Sequence, residues 1–461
     1  MDNFSMLDKE TLHILEDALG KLNFAFSDLP PLRPNFQNNE EMARVILEVA
    51  ERLQDNYPYF HPLYAGQMLK PPHPVARLAY MLSMWINPNN HALDGGRASS
   101  QMEKEAISNI AQMIGWETHL GHICSGGTIA NLEALWIAGK LNPNKKIVAS
   151  QQAHYTHSRI SGVLGLQFEP IPCDSKGRID INQLQRCLDN GNVGTVVATI
   201  GTTAIGSVDL LQEILKLRDQ YGFRLHADAA YGGYFCLIEN LMEETRHAYD
   251  MLREVDSIVI DPHKHGLQPY GCGCVLFRDP GIGQYYKHDS PYTYFSSAEL
   301  HLGEISLECS RPGAAAVGMW ATQKLLPLIT NGEFARGLNN SRLAALMFYE
   351  KLRSDKRFIV GSPPELDIIV WIPRAARTSE SSELSRLIFT EAAQRNLHLA
   401  LADLPVEFFD LSSNEVEIDS PTITCLRSVL MKSEHYEWIE DIWRILNKAT
   451  TAALQINAPN A

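Results

Sequence analysis

Short apolar runs separated by helical stretches constrain this chain more than any other feature of its sequence. KKIVAS (145–150), TVVATI (195–200), RLHADA (224–229) and SIVID (257–261) are each one strand long and near-continuously apolar apart from the polar residues interleaved in RLHADA. A strand with one wet face alternates apolar and polar residues, whereas a strand buried on both faces does not. A helix at 209–220 lies between the second and third runs. Strands of this kind joined by helices predict a mainly parallel sheet covered on both faces, with ligands at the carboxyl ends of its strands.

The flanking regions have a different texture. Residues 41–56 place Met42, Val45, Ile46, Val49 and Leu53 at helical spacing, which predicts an amphipathic helix. A connector follows through Pro58, Pro62, Pro71, Pro72 and Pro74, suited to an arm lying over another surface. Beyond about residue 330, LDIIVWIP (366–373) and TITCLRSVLM (422–431) read as strands, and 382–395 and 435–455 as helices. The expected organisation is an N-terminal helical arm (1–85), a large α/β domain (86–330) and a small α+β domain (331–461). Residues 280–311 are weakly periodic and rich in Tyr, Ser and His, the pattern of a functional loop.

Several classes are disfavoured. At 461 residues the chain is too long for one small core. Its formal charge of −14 is spread along the sequence, which argues against a nucleic-acid binder or a polybasic membrane surface. No apolar run reaches the length of a membrane span, and the polar start MDNFSMLDKE lacks the marks of a signal peptide. The eight cysteines contain no CxxC pair, and Cys272-Gly-Cys274 is too tight for a zinc knuckle. Reduced thiols in a cytoplasmic protein without a metal site are expected.

Polar residues then cluster where the strands end. Ser125-Gly126-Gly127-Thr128 opens a helix, and two glycines there let backbone N–H groups approach an anion. His154 follows the strand at 145–150, and Thr202-Thr203 follows that at 195–200. Asp228 sits among Leu225, Ala227, Ala229 and Ala230, where a carboxylate needs a partner. Lys264, flanked by His263 and His265, ends the run at 257–261, where desolvating an ammonium is costly. Each signal alone has a structural explanation. Together they supply an anion cradle, a flat cover, a buried carboxylate and a buried amine. Pyridoxal 5′-phosphate needs those four groups, for its phosphate, ring, pyridine nitrogen and aldehyde.

The sequence resembles the group II pyridoxal-dependent amino acid decarboxylases, which include glutamate, tyrosine, aspartate and aromatic amino acid decarboxylases. The resemblance runs from about residue 55 to 445. It rests on NPNNHALDGGRASSQMEKEA (87–106), SGGTIAN (125–131), QQAHYTH (151–157), HADAAYGG (226–233), DPHKHGLQPYGCG (261–273), SRPGA (310–314) and CLRSVLM (425–431). It implies the aspartate aminotransferase-like fold, fold type I. It also implies that Lys264 holds the coenzyme, with His263 against its phosphate or imine. Asp228 would pair with the ring nitrogen, His154 would stack on the ring, and Gly127 and Thr128 would bind phosphate. Thr203 would lie near the ring hydroxyl or Asp228, and Ala230 beside the coenzyme. Arg427 matches an arginine that grips the substrate carboxylate. Tyr292 or Tyr294 would return a proton to the substrate carbon; the register in SPYTYF leaves both open. The family further implies a homodimer with the site at its interface. The stretch HGLQPYGCG is nearer the tyrosine/aspartate and glutamate branches than the aromatic one, which carries Trp there. The expected reaction is α-decarboxylation of an L-amino acid to its amine and CO2. The alternatives are another carbon–carbon lyase and a decarboxylation-coupled oxidative deaminase.

Overall fold

The computed structural model describes residues 9–30, 38–287 and 306–457. At its centre is a seven-stranded sheet of β1 (Leu120–Cys124), β2 (Lys146–Ser150), β3 (Phe168–Ile171), β4 (Val193–Thr199), β5 (Arg224–Asp228), β6 (Ser257–Ile260) and β7 (Gly273–Phe277), in the spatial order β1-β7-β6-β5-β4-β2-β3. Only β7 runs against the others. Helices Gly127–Leu141, Thr156–Leu164, Ile181–Asp189 and Leu211–Tyr221 connect successive strands from β1 to β5. β4 is buried along its whole length, as expected for a strand covered on both faces. Each Val or Ile so buried contributes roughly 1.5–3 kcal/mol.

The apolar-run argument finds β2, β4, β5 and β6 but misses β1, β3 and β7. β1 (LGHIC) and β7 (GCVLF) carry Gly and Cys, which read as a turn. β3 (FEPI) contains Pro170, tolerated because β3 is an edge strand that needs no second ladder of donors.

A second sheet of β8 (Phe358–Val360), β9 (Ile368–Pro373), β10 (Ala400–Pro405) and β11 (Thr422–Val429) has the order β10-β11-β9-β8 and is antiparallel throughout. Its core with helices Glu333–Ser354, Thr378–Ala393 and His435–Asn457 is apolar, with Phe348 edge-on to the fully buried Trp371 at 5.4 Å. The connector at 64–66 is tied to this sheet, since Val429 N donates to Ala65 O at 2.7 Å.

Two of the sequence blocks quoted above, 87–106 and 310–314, meet in one buried knot. Glu103, fully buried, accepts from Asn90 Nδ2 at 2.7 Å, Ile123 N at 2.9 Å and Arg311 Nη1 at 2.7 Å. Residues from 87–106 and 310–314 thus fix the carboxyl end of β1, from which the glycine loop departs. A buried ion pair of this kind holds position through satisfied hydrogen bonds more than through net attraction.

The helix expected over 41–56 forms as Asn39–Leu53, but none of its residues is buried. Met42, Ile46, Leu47 and Leu53 stay exposed. No described helix is long and apolar enough to cross a membrane.

Candidate active site

A cavity of about 310 Å³ opens at the carboxyl ends of the parallel strands. The loop after β1 forms one wall. Helix Gly127–Leu141 starts there with Gly126 as its cap residue, and no side chain caps it. Its first-turn amides therefore face the cavity as donors, reinforced by the helix dipole. The neighbouring Ser125 N–H donates to the Glu308 carboxylate at 2.9 Å, so this loop already presents a donor to an anionic oxygen. The glycines are required by close approach. A Cβ on Gly127 would lie 2.7 Å from Asp261 Oδ2, and one on Gly273 would lie 2.5 Å from Gly126 Cα.

The opposite wall is the ends of β5 and β6. Asp228 is 5% exposed and lines the cavity. Its Oδ2 accepts from His157 Nε2 at 2.8 Å and its Oδ1 from Ala230 N at 3.2 Å. Burial pushes its carboxyl upward, but the His157 hydrogen bond and the charges of His157 and Lys264 outweigh this and hold it well below the usual range. Asp228 is therefore ionised. Behind it, His226 donates or accepts at both nitrogens, with Ser257 Oγ and Asn131 Oδ1 each at 2.9 Å, and burial pushes it down to about 3.

Lys264 Nζ lies 3.0 Å from Asp261 Oδ2. Asp261 follows β6 and is wedged between Gly127 and Gly273. His263 is anchored through Nδ1 to Cys272 O at 2.9 Å, and its ring lies 4.7 Å from that of Tyr270. His154 is held by Thr156 Oγ1 at 2.9 Å from its Nδ1, and burial lowers its pKa, which keeps the ring neutral near pH 7.

Lys264, His154, Asp228, Gly127, Thr128, Thr203, Ala230 and His263 all line this one cavity. Arg427 does not. It lies on β11, 4% exposed, with Nε donating to Ala204 O at 2.9 Å, Nη1 to Gly66 O at 3.2 Å and Nη2 to Thr203 O at 2.6 Å. Its guanidinium stands one layer behind the Thr203 backbone. Tyr292 and Tyr294 fall outside the described residues. Sequence reasoning passed over Asp261, Thr199 and His157. Asp261 opens the DPHKHG motif, three residues before Lys264, and its spacing to that amine was the available signal. Thr199 and His157 carry no sequence signal beyond polarity, because only the fold shows what they face.

A phosphate-bearing pyridine aldehyde fits these residues. The uncapped helix start and the glycine cradle suit a phosphate. Thr199 Oγ1 and Asp261 Oδ1 are buried without a hydrogen-bond partner among the described residues, at the cavity wall. An ionised carboxylate and a lysine amine complete the set.

Comparison with known proteins agrees. Residues 33–372 match the family described as "Pyridoxal-dependent decarboxylase conserved domain". The chain is 26% identical to the L-tyrosine decarboxylase of Enterococcus faecium, over 81% of this chain and 80% of that one. It is 29% identical to a probable L-aspartate decarboxylase of Archaeoglobus fulgidus, over 75% of this chain and 88% of that one. Its fold superposes on Oryza sativa TDC, solved with PLP and tryptamine, with a TM-score of 0.77 at 18% identity, covering 98% and 99% of the two chains. The mainly parallel sheet with its single reversed strand is therefore the fold type I architecture, and the chain belongs to the pyridoxal-dependent amino acid decarboxylases.

Proposed function

We propose that the Lys264 cavity performs the α-decarboxylation of an L-amino acid, with one part of the chemistry supplied by each strand end. The observation that carries this reading is the buried Asp228 carboxylate, paired with His157, lining the same cavity as the Lys264 amine and the uncapped helix start. Bound there, pyridoxal 5′-phosphate supplies the sink for the electron pair released as CO2 leaves. Lys264 would hold the coenzyme through its amine. Asp228 keeps a proton at the ring nitrogen. His154 covers the ring as a neutral plane, and Gly127 and Thr128 donate to the phosphate with His263 beside them. Thr203 and Ala230 close the ring edge.

Arg427 orients the substrate carboxylate in this reading. Its Nη2 has a second N–H beyond the one given to Thr203, and Thr203 lines the cavity. The proton returned to the substrate carbon is assigned to Tyr292 or Tyr294. The same proposal includes a cytoplasmic homodimer divided at residues 1–85, 86–330 and 331–461. Support comes from the exposed apolar side chains of helices Lys9–Ala25 and Asn39–Leu53, which a second copy would cover, and from eight unpaired cysteines.

The test is an assay of the holoenzyme across the common L-amino acids, L-tyrosine and L-aspartate included, and 2,4-diaminobutyrate. Amine and CO2 released in equal amounts from one of them is the expected result. Aldehyde with ammonia would redirect the chain to oxidative deamination, and cleavage without CO2 to another lyase. An active monomer by sedimentation would reject the dimer.

A further inference from the structure

His157 is the buried histidine in direct hydrogen-bond contact with the Asp228 carboxylate. It is fully enclosed, at 0% exposure, on the first turn of helix Thr156–Leu164. Three other buried histidines satisfy both ring nitrogens, while His265 beside Asp367 does not. His226 does so with Ser257 and Asn131, His122 with Ile123 O and Glu133, and His435 with Lys432 N and Pro62 O. His157 does not: Nε2 meets Asp228 Oδ2 at 2.8 Å, while Nδ1 is buried without a hydrogen-bond partner among the described residues. Leaving a buried ring nitrogen unpaired is unfavourable, and an apolar side chain would fill the space without that penalty. The single hydrogen bond is thus the property that distinguishes His157 from a packing residue.

The bond also fixes which ring nitrogen donates to Asp228. An ionised carboxylate only accepts, so Nε2 carries the proton and donates it to Oδ2. With Ala230 N on Oδ1, two of the roughly four acceptor positions of Asp228 are taken, from behind and from the backbone. The carboxylate can then turn only its remaining lone pairs toward the cavity. His154, three residues earlier, sits on the same turn, with His157 N bonded to His154 O at 3.1 Å. One short helix start therefore carries both the ring cover and the brace of the carboxylate.

We propose that His157 is a positioning residue for Asp228, donating from Nε2–H to hold the carboxylate ionised and aimed at the pyridine nitrogen of the coenzyme. This rests on the role given to Asp228 above. Charge-assisted hydrogen bonds of this type are the strong ones in protein interiors. Losing one weakens whatever the aimed carboxylate binds by about tenfold to a hundredfold.

The experiment compares His157→Leu, His157→Gln and Asp228→Asn with wild type. Two quantities are read: the dissociation constant of the coenzyme, and the nitrogen-15 chemical shift of its ring nitrogen in the reconstituted proteins. Glutamine places a neutral N–H donor close to the position of His Nε2; leucine has none. His157→Leu should weaken coenzyme binding by about tenfold or more and move the ring-nitrogen signal toward the unprotonated form, with His157→Gln restoring both toward wild type. His157→Leu indistinguishable from wild type would overturn the proposal. So would His157→Gln failing as badly as His157→Leu, since only packing would then be at stake. Asp228→Asn separates the two levels. If it leaves the nitrogen signal unchanged, the role of Asp228 fails; if it moves the signal and His157→Leu does not, only the role of His157 fails.

Discussion

Asp228 and Asp367 are both buried carboxylates with a histidine partner, yet they do different work. Asp228 ends β5 beside His157 and borders the cavity. Asp367 precedes β9, is 0% exposed, accepts from Tyr231 OH at 2.5 Å and lies 3.3 Å from His265 Nε2. Burial pushes both carboxyls up, and in both the neighbours win and hold them below the usual range. Those neighbours are His157 and Lys264 at Asp228, and His265, Tyr231 and Lys70 at Asp367. A perturbed acid is thus not by itself the mark of a site. What differs is access: one carboxylate keeps acceptor capacity facing open space, and the other is sealed where the two sheets meet. Tyr231 links them, because it lines the cavity while its hydroxyl is spent on Asp367.

The comparison breaks or sharpens with substitutions at the two acids. Asp228→Asn, measured at saturating coenzyme, should still bind it but cut kcat by about a hundred- to a thousandfold, the scale of removing one charge partner of a transition state, roughly 3–4 kcal/mol. Its urea midpoint should change little, because asparagine still accepts from His157. Asp367→Asn should show the reverse. Removing one member of a sealed, paired set costs about 2–3 kcal/mol of unfolding free energy, read as a lower urea midpoint, with a smaller loss of kcat than at Asp228. If Asp367→Asn proved the more damaging to turnover and the less damaging to stability, the distinction by access would be wrong.

The smallest effect is expected one layer back. Arg427 already gives hydrogen bonds to three carbonyls around Thr203. Lysine cannot reproduce that planar fork. Arg427→Lys should therefore raise KM and lower kcat together, about tenfold in kcat/KM, because the Thr203 wall and the substrate carboxylate shift at once. Steady-state kinetics identical to wild type would remove Arg427 from the substrate path.

Much of this was legible in the sequence where burial leaves a compositional trace. β2, β4 and β6 are largely apolar runs, β5 interleaves Arg224, His226 and Asp228 with apolar residues, and the polar residues Thr199, Asp228 and Asp261 at or just past the ends of β4, β5 and β6 line the cavity. β7 was not legible, because Gly273 is demanded by the approach of Gly126 and not by a turn. The glycine pair was read as an anion cradle, but its second reason, room for the Asp261 carboxylate, depends on a contact between segments more than a hundred residues apart in sequence. His157 was hidden for the same reason, since nothing in QQAHYTH says which histidine meets a carboxylate on another strand. The amphipathic pattern of helix Asn39–Leu53 was plain, yet amphipathicity does not tell what covers the apolar face.

The central claim is that Lys264 is the residue that holds the coenzyme, and borohydride reduction of the holoenzyme followed by peptide mapping tests it directly. The account predicts a pyridoxyl group on the peptide containing Lys264, absent in Lys264→Ala, which should also lose visible absorbance and turnover while keeping its fold. Burial pushes two other lysines down, Lys70 to about 8 and Lys432 to about 7. A label on either of those, or on no lysine, would contradict the account.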